Sequence, residues 1–199
     1  ISSVLYSVTY SRIAFESILY KVPYRIFNPV KQRDLIDGNI LIVNDPTGQL
    51  SKQVDDDGIQ IISASIEDLI EGTFWANCPK IDWMICITQG LGKKTELIID
   101  VGCSVAKKGF CLLDRLSFLE PTRGREPLLT SKTLRNLIVL SPRPSFRADS
   151  KQLKDSMTSA WFIFQTESNT TLDTNVEFAI HWDRPQMLTC GQQNRGTSK

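Results

Sequence analysis

At 199 residues with a formal net charge of +1, the chain has room for one substantial domain, and its balanced charge argues against a whole-surface electrostatic grip on nucleic acid. No apolar run approaches the roughly 18 residues of a membrane span, and the start lacks the charged-then-apolar layout of a signal peptide, so a soluble, unsecreted protein is expected. Five cysteines (Cys78, Cys86, Cys103, Cys111, Cys190) form no close pairs of the kind that bind zinc or run redox chemistry, and read as ordinary reduced thiols.

The first 30 residues hold all four tyrosines (Tyr6, Tyr10, Tyr20, Tyr24) with Phe15 and Phe27, and no Lys/Arg cluster. Alternation at Val4, Tyr6, Val8 and Tyr10, and again at Ile18, Tyr20, Val22, Tyr24 and Ile26, favours extended structure, although 13–20 also suits a helix. The segment reads as a strand or arm packed on its own domain; the sharper reading is an arm that reaches a neighbouring subunit or stacks bases on its rings. Residues 34–43 (DLIDGNILIV) predict a strand with a kink or bulge at Asp37-Gly38, and 45–48 (DPTG) a turn. The acidic run 55–57 lacks the alternating acidic positions and distant Glu of an EF-hand loop. Residues 59–63 (IQIIS) predict a short strand, and Ser65 to Asp68 resembles a capping box opening a helix to about Gly72.

Residues 80–89 (KIDWMICITQ) alternate as a strand, 90–94 make a hairpin tip, and 96–101 (ELIIDV) are expected as the partner strand. Further strand-like residues occupy 110–118, a loop 122–127, and a strand 134–140 (LRNLIVL), cut off by Pro142 and Pro144. The stretch 143–159 is polar, with a helical turn expected near 152–155. Residues 160–167 (AWFIFQTE) are apolar on both faces and should be covered on both sides. In 176–183 (VEFAIHWD), Val176, Phe178, Ile180 and Trp182 face one way, the signature of a strand with one buried face. The loop 168–175 would let the chain cross between sheets, and its sequon at Asn169 matters only in the secretory pathway. The sum is an all-β, eight-stranded antiparallel jelly-roll sandwich with one or two short helices. It divides into an aromatic arm (1–30), a jelly-roll domain (31–189) and a polar tail (190–199).

No constellation carries obvious chemistry. His181, the one histidine, sits on the polar face of its strand and suggests a surface or interface role. The Gly90-Leu91-Gly92-Lys93-Lys94 stretch lacks the Gly-Lys-Ser/Thr ending of a phosphate loop. Arg123 and Arg125 could pair with carboxylates or phosphates, though two loop arginines are usually a solvated surface.

Residues 160–162 (AWF), followed by Val176, Phe178, Ile180, Trp182 and Asp183, look like the last two strands of the small coat protein of plant picorna-like viruses, the comovirus, fabavirus and cheravirus group of secovirids. Residues 34–40 (DLIDGNI) resemble that family's first core strand, and the order between is similar, so the resemblance spans about 34–183 in pieces. It implies a non-enzymatic structural protein without cofactor or metal, an eight-stranded jelly roll packing with the same and different coat subunits into an icosahedral shell around single-stranded RNA. RNA contacts would be weak, no membrane would be involved, and the protein would reside in the virion. Excision from a polyprotein would explain a chain that opens at Ile1. By carry-over, loops 122–127 and 168–175 cluster at the narrow end of the wedge, making Arg123, Arg125, Asn169, Thr171 and Asp173 the expected subunit-interface residues. The aromatic front departs from that family's short lead-in. Two rivals are a plant-virus movement protein binding single-stranded nucleic acid, and a non-viral jelly-roll binding domain of carbohydrate-binding or cupin type, the latter short of histidine ligands.

Overall fold

The computed structural model describes residues 22–184 apart from 46, 56–58, 72–73, 75–77, 89–90, 93, 124, 131–132, 147–156 and 167–172. In chain order the elements are α1 (Asn28–Lys31), β1 (Asn39–Val43), α2 (Gln49–Val54), β2 (Gln60–Ala64), α3 (Ile66–Glu71), β3 (Trp83–Ile87), α4 (Lys94–Val105), β4 (Gly109–Arg115), a 3-10 turn (Leu116–Leu119), α5 (Glu126–Thr130), β5 (Leu134–Ser141), β6 (Ser159–Gln165) and β7 (Asn175–Ile180). The strands form one seven-stranded sheet in the order β2-β1-β3-β4-β6-β5-β7. Pairs β1–β2, β1–β3, β3–β4 and β5–β7 are parallel; β6 runs antiparallel to both β4 and β5.

The expectation of a strand-rich chain holds, but where one or two short helices were expected the described residues hold five, one of them 12 residues long. The expected eight-stranded antiparallel jelly roll does not describe this arrangement, because the described residues build one mixed sheet with helices between its parallel strands. The deciding segment is 96–101. Read as a strand, it would pair with β3 in a hairpin; it lies instead within the 12-residue helix α4. Thr95, Ile98, Ile99 and Gly102 are its buried residues, spaced at i, i+3, i+4 and i+7, a helical stripe. A Cβ on Gly102 would lie 2.6 Å from Met84 Cε, so the missing side chain lets α4 press onto the sheet. With a helix there, β3 and β4 need a crossover and become parallel neighbours.

Both faces of the sheet are covered. One face carries Leu41, Met84, Cys86, Phe110, Leu112 and Phe162 under residues from α3, α4 and α5, including Leu69, Ile98 and Leu128. The other carries Ile40, Ile42, Ile85, Leu113, Ile138 and Trp161 under α1 and α2, through Val30, Leu50 and Val54. This explains why β3 and most of β4 and β6 are buried throughout, as 160–167 had suggested for β6. The crossover from β1 to β2 steps towards one sheet edge beneath α2, whereas the steps from β3 to β4 and from β4 to β5 go the other way under α4 and α5. Opposite directions using opposite faces is what a single crossover handedness requires.

Local sequence signals fit their elements elsewhere. Gly38 has φ of +83°, and a Cβ there would sit 2.5 Å from Asp82 Oδ2, so the kink before β1 needs glycine. At the start of α3, the Ser65 N–H donates to Asp68 Oδ2 and the Asp68 N–H to Ser65 Oγ, both at 3.0 Å, a reciprocal cap. Residues 1–21 and the tail 185–199, which include most of the expected arm and the whole expected tail, lie outside the described residues, as does the helical turn expected at 152–155.

Candidate functional site

In a doubly wound sheet, the loops at the carboxyl ends of the parallel strands gather side chains from separate segments, and ligands bind there, at the point where the winding direction reverses. Here the reversal lies between β1 and β3. Asn44, the first residue beyond β1, has φ of +61°, a conformation asparagine tolerates better than most residues. Its N–H donates to Ala64 O at 3.3 Å and its Nδ2 to Ile87 O at 3.1 Å, tying together the ends of β1, β2 and β3. Asp45 follows, and its Oδ2 accepts from both the N–H and the hydroxyl of Ser51 at 2.8 Å. Asp45 Oδ1 and Gln49 Oε1 are buried acceptors with no donor among the described residues.

Beside this point, a cleft of about 610 Å³ opens over the ends of β3 and β4. It is lined by Thr88 after β3, by Gly92, Thr95 and Glu96 at the start of α4, by Asp114 and Arg115 ending β4, and by Ser117, Phe118, Thr122 and Arg125 beyond it. Thr88 is buried and its hydroxyl donates to Asp114 Oδ2 at 2.8 Å, while the Arg115 N–H donates to Asp114 Oδ1 at 2.7 Å. The carboxylate is thus oriented by one donor on each oxygen. On the far wall, Arg125 donates from Nη1 to Ser117 O and Phe118 O at 3.1 and 3.0 Å, and from Nε to Thr122 Oγ1 at 3.1 Å. Its guanidinium also lies over the Phe118 ring, 5.4 Å from the centroid. The cleft lining thus includes a held cation, Arg125, and an oriented anion, Asp114. Lys94, the first residue of α4, forms an exposed ion pair with Glu67 at 3.2 Å.

Cys86 lies behind this wall in β3, fully buried, with burial and then the nearby Asp114 charge pushing its thiol well above the usual range. It stays protonated and is no nucleophile. Cys111 is raised by burial in the same way, Cys78 and Cys103 are also free thiols, and Cys190 lies outside the described residues.

Of the residues singled out from sequence, Arg125 lines the cleft and Arg123 is exposed on the same loop. Asp173 is exposed just before β7, where Thr174 Oγ1 donates to Leu134 O at the start of β5. Because β5 and β7 run parallel to each other and antiparallel to β6, that loop lies at the sheet edge opposite Arg125. The two loops therefore do not cluster. Asn169 and Thr171 lie outside the described residues. His181, exposed and with φ of +57°, ends β7 as its N–H bonds to Ser141 O. The expected hairpin tip around Gly92 is instead the β3–α4 connection, at the mouth of the cleft. Thr88, Glu96 and Asp114 went unread as site residues. Their signal was position: Thr88 is the first polar residue after β3 and Asp114 is the polar residue that closes the apolar run of β4, which matters only once those strands are parallel. No family model matches the chain, and no curated protein is significantly similar to it.

Proposed function

We propose that this chain is a small-molecule-binding α/β domain whose carboxyl-edge cleft takes a polar ligand of the nucleoside or nucleotide class. The observation that carries the reading is the coincidence of a ligand-sized cleft with the carboxyl ends of β3 and β4, next to the reversal of winding. Its volume falls within the roughly 300–1,000 Å³ of small-molecule sites, and its position follows the rule for doubly wound sheets. The lining suits such a ligand: Asp114 and Glu96 accept from hydroxyl groups, and Arg115 and Arg125 complement negative charge. The β1–α2 connection holds one glycine, Gly48, in place of a glycine-rich phosphate cradle. That favours recognition through the sugar and base over a grip on a pyrophosphate.

A panel of adenosine, ATP, NAD and S-adenosylmethionine, assayed by thermal shift and then by calorimetry, tests this reading. At least one probe should stabilise the wild-type chain saturably, by about 2.7 kcal/mol at a hundredfold excess over Kd. Asp114→Asn should weaken that binding at least tenfold. If no member of the panel stabilises the protein, or Asp114→Asn binds as tightly as wild type, the proposal falls.

The coat-subunit reading remains as a second proposal, and one observation favours it: the apolar side chains Val176, Phe178 and Ile180 are exposed on the edge strand β7. It no longer has an antiparallel jelly roll to rest on. Electron micrographs of the expressed chain with its precursor partners test it, closed shells supporting the reading and their absence removing it.

A further inference from the structure

We propose that the part of the cleft lined by Arg115, Ser117, Thr122 and Arg125 is a subsite for one phosphoryl group, so that the ligand is a nucleoside monophosphate and not the free nucleoside. The inference rests on the nucleoside-class reading of the cleft and names the charged end of that ligand. From Arg115 to Arg125 the chain carries three arginines against one carboxylate, Glu120. Arg115 and Arg125 line the cleft, and Glu120 does not. Neither arginine forms an ion pair with a carboxylate of a described residue. Two guanidinium groups left without a counter-ion in a concave site complement an anion from outside the chain.

The donors available there select the anion. Arg125 uses Nε on Thr122 Oγ1 and Nη1 on the carbonyls of Ser117 and Phe118, which leaves Nη2 without an acceptor among the described residues. Its guanidinium is held before any ligand arrives, so little side-chain freedom is lost on binding. Thr122 Oγ1 accepts from Arg125, so its own hydroxyl hydrogen remains to donate. Ser117 also lines the cleft, and its hydroxyl bonds to no described residue. The Arg115 side chain, exposed at the end of β4, has no hydrogen-bond partner among the described residues. Two guanidinium groups with two hydroxyls suit the three acceptor oxygens and nearly double charge of a phosphate monoester better than the two oxygens and single charge of a carboxylate. The other charged groups of the lining, Glu96 and Asp114, are acidic, and the described lining holds no third cation. Each further phosphoryl would add negative charge with nothing to meet it, which sets the limit at one.

Calorimetry of the full-length protein with adenosine, adenosine 5′-monophosphate and ATP, at one ionic strength, tests the assignment. Wild type should bind the monophosphate more tightly than adenosine by about tenfold or more, the effect of one charge-assisted hydrogen bond, and ATP no more tightly than the monophosphate. Arg115→Gln, at an exposed side chain without a described partner, folds as wild type and should remove most of the monophosphate's advantage over adenosine. Arg123→Gln, on the same loop but outside the lining, should leave that advantage intact. Asp114→Asn should weaken both ligands and preserve their ratio. Equal affinity of wild type for adenosine and its monophosphate, or a ratio unchanged by Arg115→Gln, would overturn the subsite while the nucleoside reading stands on adenosine binding. An equal loss in Arg123→Gln would overturn it too, by assigning the effect to the general field of the loop, and tighter binding of ATP would overturn the limit of one phosphoryl. If neither adenosine nor its monophosphate binds, both readings fall.

Discussion

The two halves of the sheet make different use of similar apolar strands. In β2-β1-β3-β4 every strand points the same way, so each strand's last residue is delivered to one edge, and Asn44, Thr88 and Asp114 arrive there from three separated segments. In β6-β5-β7 the reversed strand β6 sends alternate ends to opposite edges, and the loops that looked like partners in sequence, 122–127 and 168–175, part company. Strand direction decides whether a sheet gathers chemistry at one edge. The second contrast is coverage, since helices shield both faces of the parallel half, whereas β7 leaves three apolar side chains in the open.

Disrupting the parallel half should have the largest effect. Ile98→Asp would set a charge between α4 and the sheet, where Ile98 is fully buried, and should cost at least about 4 kcal/mol or prevent folding, as read by urea melts. In the other half, Phe162→Ala removes a fully buried ring that packs on Phe118 at 4.8 Å. It should cost about 3–5 kcal/mol, and if it cost far less, β6 would be less central than described. Thr88→Val keeps the shape but withdraws the hydroxyl from Asp114; about 1–2 kcal/mol of stability should go, and ligand affinity with it.

The smallest effect concerns β7 and pH. Arg33, hydrogen-bonded to Glu177, holds that carboxyl below its ordinary 4.5. A lowered folded pKa means the pair's contribution is complete above about pH 4.5 and is lost as pH falls through the lower folded value. The stability gap between wild type and Arg33→Ala, under about 1 kcal/mol at pH 7 because both groups are partly exposed, should therefore shrink in melts at pH 3. A gap that stayed constant would show that Arg33 acts through its packing and its hydrogen bond to Pro29 O, without the ion pair.

Most of the strands were legible in the sequence because buried strands leave apolar runs: 80–89 contains β3, and 134–140 and 160–167 each overlap most of a strand, β5 and β6. The kink at Gly38 and the cap at Ser65 were legible because they need particular residues. What failed was one short segment of ambiguous period. Leu97, Ile98 and Ile99 suit a strand as well as a helix, and choosing between them sets whether β3 and β4 pair as a hairpin or through a crossover. The cleft was illegible for the same reason, since its residues share an edge only when the strands are parallel. Val176, Phe178 and Ile180 show the opposite failure: their alternation read correctly as a strand, but period alone does not say what covers the apolar face.

The most direct test of the carboxyl-edge cleft is to map amide chemical-shift changes by NMR as the tightest-binding adenosine-bearing probe is added. Saturable shifts should concentrate at Thr88, Asp114, Arg115 and Arg125, leaving the opposite edge at Asp37 and Lys108 unmoved. Shifts confined to that opposite edge, or none that saturate, would contradict the account.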